Sequence, residues 1–288
     1  MKVNHRISFN LRGRSRALKK FNRLGIKTWA IEDMRFFDIT EDDPRWPEVS
    51  KIIKKNKIPS VATADFSKEE ILSAEWVWLH PVYFDEEMYP EPREEHKSWK
   101  KASFNYKDEC QHCGIGLYQN APIRLKGEPN LKGNDFLSVF WIYLIFARPE
   151  VLDTMKKNDV TGFEIFPAIN HSSDTPLETI RQMKVINELP TGLIADNLTR
   201  ADVERMTADN TFTHEPYPCG HIKYYGTDHV MMKYQKEVFS DCPDLVRTSE
   251  WFGTGYAAIQ LTLASAKFVR LYYENNWKGL LFAPIELI

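Results

Sequence analysis

The sequence predicts an α+β protein: a small N-terminal α/β module followed by a duplicated strand–helix–strand scaffold, joined by a cysteine-bearing segment. Three observations lead there. Strand-like and helix-like stretches alternate early in the chain, a proline-rich acidic stretch interrupts them near residue 90, and the later chain matches itself at an offset of 117 residues. The 288 residues, 43% hydrophobic and 27% charged, exclude wholesale disorder, a fibrous repeat and a coiled coil.

In the first module, Arg6 to Leu11 reads as a strand. Ser15 to Leu24 reads as a helix capped by Ser15 and closed by Gly25, with Ala17, Leu18, Phe21 and Leu24 at helical spacing. Lys27 to Ile39 is aromatic and β-branched enough for a second strand. Pro47 to Lys55 follows as a helix with Val49, Ile52 and Ile53 on one face. Ser67 and Glu70 have the spacing of a capping box, ahead of a helix that turns Ile71, Leu72 and Trp76 inward. Tyr83 to Lys101, with Pro90, Pro92 and many acids, reads as a linker, so the expected domains are 1–100 and 101–288.

In the second domain, Trp141–Pro167 falls on Ala258–Pro284 without a gap. The identities are Ile142/Ile259, Leu144/Leu261, Ala147/Ala264, Asn158/Asn275, Gly162/Gly279 and Pro167/Pro284. The punctuation is shared as well: an apolar strand, a short helix, Asn, Gly, then a strand reaching Pro. The expected units are 141–169 and 258–287, a duplicated scaffold in which the glycine permits the reversal between helix and strand.

Charge is unevenly spread. Residues 1–35 carry ten Lys or Arg against Glu32 and Asp33, about +8, which leaves about −10 on the rest of a chain whose net charge is −2. That balance excludes a generic polyanion binder, but Arg12, Arg14, Arg16, Lys19, Lys20 and Arg23 face either water or a charged partner such as phosphate. The longest uncharged apolar run, Phe136 to Ala147, is about 18 Å long as a helix, too short to cross a bilayer. The first 27 residues are polar and basic, unlike a signal peptide, so the expectation is a reducing, cytoplasmic setting in which the four cysteines are thiols or metal ligands.

Cys110-x-x-Cys113-Gly114 is the one motif with inherent chemistry. Two thiolates at this spacing form a zinc knuckle, because the tight turn points both sulfurs at one centre. A structural zinc needs four ligands. Phe212-Thr-His-Glu-Pro-Tyr-Pro-Cys-Gly-His supplies the next candidates, with Pro216 standing where a first cysteine would be and Cys219-Gly220 repeating the second half of the knuckle. His214 or His221 completes a Cys₃His set with Cys110, Cys113 and Cys219, and Cys242 is the spare. A redox pair and cysteines buried without metal are the alternatives.

No Walker lysine loop, G-x-S-x-G elbow or H-E-x-x-H helix occurs. Gly253-Thr-Gly255 reads as a glycine-rich turn and Asn170 to Asp174 as a solvated one, so no catalytic residue is assigned.

At the knuckle the chain resembles the bacterial double-CxxCG proteins and neighbouring immunity-type families of bacterial and phage conflict systems. The resemblance lies in Cys110-x-x-Cys113-Gly114, the later Cys219-Gly220, and units ending in Gly-x₄-Pro, and it covers roughly residues 65–288. Pro216 departs from the pattern. The resemblance implies a non-enzymatic inhibitor that covers a toxin or defence enzyme, with a homo-oligomer as a plausible form. The other expectation is a zinc-dependent nucleic-acid-binding protein that uses the basic N-terminal segment.

Overall fold

The computed structural model describes the whole chain except residues 11–13, 83, 86–87, 95–97, 140–142, 207–211 and 228–229. It is mixed α and β, mostly sheet with six α-helices among the described residues, in keeping with an α+β protein. Two compact units emerge: Met1–Glu70 with Gly226–Met231, and Ile71–Tyr225 with Met232–Ile288. The division falls at Glu70/Ile71 rather than near residue 100. The reason is the strand Trp76–Pro81, which pairs with Thr262–Ser265 and Leu280–Pro284 and so belongs to the later chain.

In the first unit the order is β1 (Lys2–Asn10), α1 (Ser15–Arg23), β2 (Trp29–Ile31), β3 (Met34–Thr40), α2 (Trp46–Asn56) and β4 (Ser60–Asp65). The sheet order is β2-β3-β1-β4, and every pairing is antiparallel. This βαββαβ topology is the ferredoxin-like arrangement. Alternate residues of the central strands, Ile7 and Phe9 on β1 and Phe37 and Ile39 on β3, are buried with Ala17 and Phe21 of α1 and Val49, Ile52 and Ile53 of α2. Phe21 fills the centre, its ring 5.6 Å from Phe9 and 4.8 Å from Phe37. Each such buried ring stabilises the fold by roughly 1.5–3 kcal/mol. The single strand expected over Lys27 to Ile39 is instead a hairpin, turning at Glu32 with φ of 51°. Ser15 does not cap α1, which starts without a side-chain cap. The capping box does form: the Ser67 amide donates to Glu70 at 2.8 Å, and the Glu70 amide to the Ser67 hydroxyl at 3.2 Å.

The second unit holds two larger sheets. A seven-stranded sheet runs Phe84–Asp85, Phe136–Val139, Phe146–Ala147, Thr175–Val185, Phe163–Asn170, Ile123–Leu125, Pro90–Glu91. A four-stranded antiparallel sheet runs Leu245–Arg247, Thr262–Ser265, Trp76–Pro81, Leu280–Pro284. Part of the stretch expected to be linker is therefore structured, including the helix Ser98–Ser103.

Helices Pro149–Lys157 and Ala266–Glu274 stand 117 residues apart at both ends, as do the starts of strands Phe163–Asn170 and Leu280–Pro284. Asp159 and Asn276 both have positive φ, 55° and 52°, and Gly162 and Gly279 follow at 93° and 108°. The contacts are exchanged between the two segments. The Leu245 amide donates to Thr161 O at 3.1 Å, and the Phe136 amide to Lys278 O at 3.0 Å. Asp244 accepts the Thr161 amide at 3.0 Å, and Asp135 accepts the Lys278 amide at 2.8 Å. Leu245 is paired with Ala264, and Phe136 with Ala147. Each segment thus braces the strand beside the other. Trp141 and Ile142, part of the first unit expected from sequence, lie outside the described residues.

Candidate metal centre

The first arm of the centre follows a short 3-10 turn at Tyr106–Asp108. The Cys110 amide donates to Ile115 O at 2.7 Å, and the Gly114 amide returns to Cys110 O at 2.8 Å, closing a tight loop. Only glycine fits at 114: its φ is 78°, and a Cβ there would overlap the Tyr256 carbonyl oxygen. In the second arm the Gly220 amide donates to Tyr217 O at 2.9 Å, with Gly220 at φ 73°, so Cys219 and His221 flank one left-handed residue.

The two arms converge. Ligand atoms of Cys110, Cys113, Cys219 and His221 all lie within 4.8 Å of one another. Cys113 Sγ is 3.6 Å from Cys219 Sγ and 3.3 Å from His221 Nδ1. A disulfide needs about 2.05 Å, so these are thiols. A tetrahedral zinc with bonds of about 2.3 Å to sulfur and 2.0–2.1 Å to nitrogen sets sulfurs about 3.8 Å apart, and sulfur and nitrogen about 3.5 Å apart. The two separations from Cys113 match those values, and with all four donors within 4.8 Å of one another the group could hold a metal ion.

Burial is graded across the cluster. Cys113 is fully buried beside Ala201 and Tyr217, Cys110 and Cys219 are half-buried, and His221 is exposed. Burial raises the Cys110 thiol, yet the His112 and Cys113 amides and the Cys219 and Cys113 thiols directed at its sulfur outweigh that and bring it down to about 6. Burial pushes the Cys113 thiol up to about 12, with the Cys110 and Cys219 sulfurs adding to the rise. Sulfurs this crowded do not all ionise together unless a cation joins them.

Beneath the cluster lies a buried ammonium. Lys223 is 0% exposed, and its Nζ donates to the carbonyls of Cys113 and Gly255 at 2.8 Å and of Ala257 at 2.7 Å, using all three protons. Its charge also sits 4.9 Å from the centre of the Tyr217 ring, whose hydroxyl donates to Gly255 O at 2.9 Å. Burial lowers the Lys223 pKa, while the sulfurs of Cys113, Cys219 and Cys110 work to raise it. Three thiolates, one imidazole and a divalent ion carry a net charge of about −1, which one ammonium balances. The strand Lys223–Tyr225 holds the lysine in place, running parallel to Trp251–Phe252 and antiparallel to Thr199–Arg200.

Three of the expected ligands, Cys110, Cys113 and Cys219, come together, and His221 provides the fourth donor. His214 lies in the strand Phe212–Glu215, paired through its backbone with Glu204, and its side chain falls outside the described residues. Cys242 is elsewhere, donating to Val238 O at 3.1 Å within an apolar cluster. Sequence reasoning missed Lys223, since a lone lysine in a short strand ordinarily points into water. The turn Gly253 to Ala257, read as structural, supplies two of the lysine's acceptors. Of the basic residues, Arg16, Lys19, Lys20 and Arg23 are exposed on α1. Arg14 is half-buried and donates to Lys57 O at 3.2 Å, and Arg12 lies outside the described residues.

No helix among the described residues is long and apolar enough to cross a membrane. No protein-family model matches this chain, and no curated protein matches it.

Proposed function

We propose that Cys110, Cys113, Cys219 and His221 hold a structural zinc ion, and that the protein is a binding protein of the inhibitor or immunity type. One observation carries the metal reading: four protein donors of the kinds zinc takes, gathered within 4.8 Å of one another, lie over a buried compensating ammonium. With every position filled by protein, no site is left for water or substrate, so the ion works as a staple rather than a reaction centre.

The inhibitor reading rests on the resemblance at the knuckle and on the scaffold around it. The exchanged contacts and the spacing of 117 residues support two copies of one duplicated strand–helix–strand unit. A zinc-stapled, mutually braced body suits a protein that must present about 1,200–2,000 Å² of rigid surface to block a partner. In this reading the partner is a toxin or defence enzyme of bacterial or phage conflict, met in the reducing cytoplasm, with self-association enlarging the surface.

Two measurements test these readings separately. Elemental analysis of protein purified without chelator is expected to find one zinc per chain; a metal-free, folded preparation would overturn the staple. Co-expression with the product of each neighbouring gene is expected to find one product that arrests growth alone and is neutralised in a stable complex with this protein. If no neighbour is toxic or bound, the inhibitor reading fails.

A further inference from the structure

We infer that α1 and α2 of the first unit form a single cationic face that binds the phosphate backbone of duplex DNA. Both helices lie on one side of the sheet, since Ala17 and Phe21 of α1 and Val49, Ile52 and Ile53 of α2 share one core. They run antiparallel: Arg14 at the start of α1 reaches Lys57 O just past the end of α2, and Arg45 before α2 reaches Gly25 O just past the end of α1, each at 3.2 Å. Their outer surfaces are therefore neighbours.

On α1, Arg16, Lys19, Lys20 and Arg23 follow the i, i+3, i+4, i+7 pattern that places them in one stripe, and all are exposed. On α2, Lys54 and Lys55 are exposed near its C-terminus, where the helix dipole favours cations. No described residue forms an ion pair with any of these six. Glu48 is the single acid on the two helices, and Lys51 already holds it at 2.8 Å. Over residues 1–70, 16 Lys or Arg stand against 10 Asp or Glu.

The chemistry of the face selects the partner. Among the described residues it carries no exposed aromatic or large aliphatic side chain, so it offers neither anchors for a protein hot spot nor a wedge for a lipid surface. Single-stranded nucleic acid is gripped by rings that stack on bases, and among the described residues this face offers none free to do so, since Trp46 at the start of α2 is half-buried against the core and stacked on His5. It presents donors almost alone, which suits the dense, regular phosphates of duplex DNA rather than the 2′-hydroxyls of RNA, which also need acceptors.

The test is fluorescence anisotropy of the full-length protein with a labelled 20-base-pair DNA duplex, an RNA duplex and a DNA single strand. Six phosphate contacts predict a log–log salt slope of about −5, a loss of roughly a thousandfold in affinity between 50 and 200 mM salt. Replacing Lys19, Lys20, Lys54 and Lys55 together by Ala is expected to flatten the slope by about 3–4. Replacing Lys156 and Lys157, exposed on another helix, by Ala leaves it unchanged. Absence of DNA binding at 50 mM salt, an unaltered slope in the quadruple variant, or tighter binding of RNA or single strand would overturn the inference.

Discussion

A lysine ammonium removed from water is costly unless its protons are accepted and its charge is balanced. Lys223 has three carbonyls for its protons and three sulfurs for its charge, so its burial and the proposed metal centre depend on each other. Lys223→Met keeps much of the buried stem, deletes the charge and removes a donor from each of the three carbonyls, of which Gly255 O keeps the Tyr217 hydroxyl. We expect metal affinity to fall by about 10–100-fold, read by competition with a chromophoric chelator. Stability should fall by roughly 3–5 kcal/mol. The exposed Lys156→Met serves as control, and equal affinities for the two variants would refute the role given to Lys223. At this scale the sequence was partly legible. Cys110-x-x-Cys113-Gly114 is a local geometry, and spacing alone reveals it. The choice between His214 and His221 is not local, because it depends on which way the chain turns at Gly220. With Pro216 in the position of a first cysteine, the donor comes from the other side of that turn.

Single elements bear the weight of the exchanged bracing. A Cβ at Gly162 would overlap the Leu245 carbonyl oxygen and one at Gly279 the Phe136 carbonyl oxygen, and both residues already need positive φ. Left-handed backbone costs a non-glycine residue of order 1–3 kcal/mol, and the overlap adds to it. Gly162→Ala and Gly279→Ala are therefore expected each to lower the urea midpoint sharply. Gly127→Ala, which meets nothing within 4 Å, should change it little. Indifference at both braced glycines would contradict the geometry. Helix and turn signals in these segments were readable because Asn, Gly and Pro mark backbone reversals wherever they occur. The hairpin within Trp29 to Thr40 was not: its turn uses Glu32 and Asp33, with no glycine or asparagine to announce it. The ferredoxin-like order of the first sheet was hidden for the same reason.

Across the whole molecule, the α+β character could be read from alternating patterns, whereas the assembly of the second unit could not. Its sheets include many strands of only two to four residues from distant parts of the chain, such as Phe84–Asp85 with Phe136–Val139, and runs that short carry no periodicity. The observed division lies earlier than the prolines at 90 and 92, because Pro90 is itself part of an edge strand of the second unit, where a missing amide donor is tolerated. The proposed staple has a footprint that can be measured at this scale. Stripping the metal with a chelator is expected to speed amide exchange at residues 110–116, 217–223 and 253–257, which share the centre and its lysine, while β1 and β3 keep their protection. Uniform acceleration, or none, would count against a local staple. The reciprocal bracing also bears on how the second unit can be cut. If the backbone is severed between the two matching segments, each half-molecule carries a glycine whose resting place is on the other piece. Neither half then has what it needs to settle alone, and the two together can recover the native form by complementation.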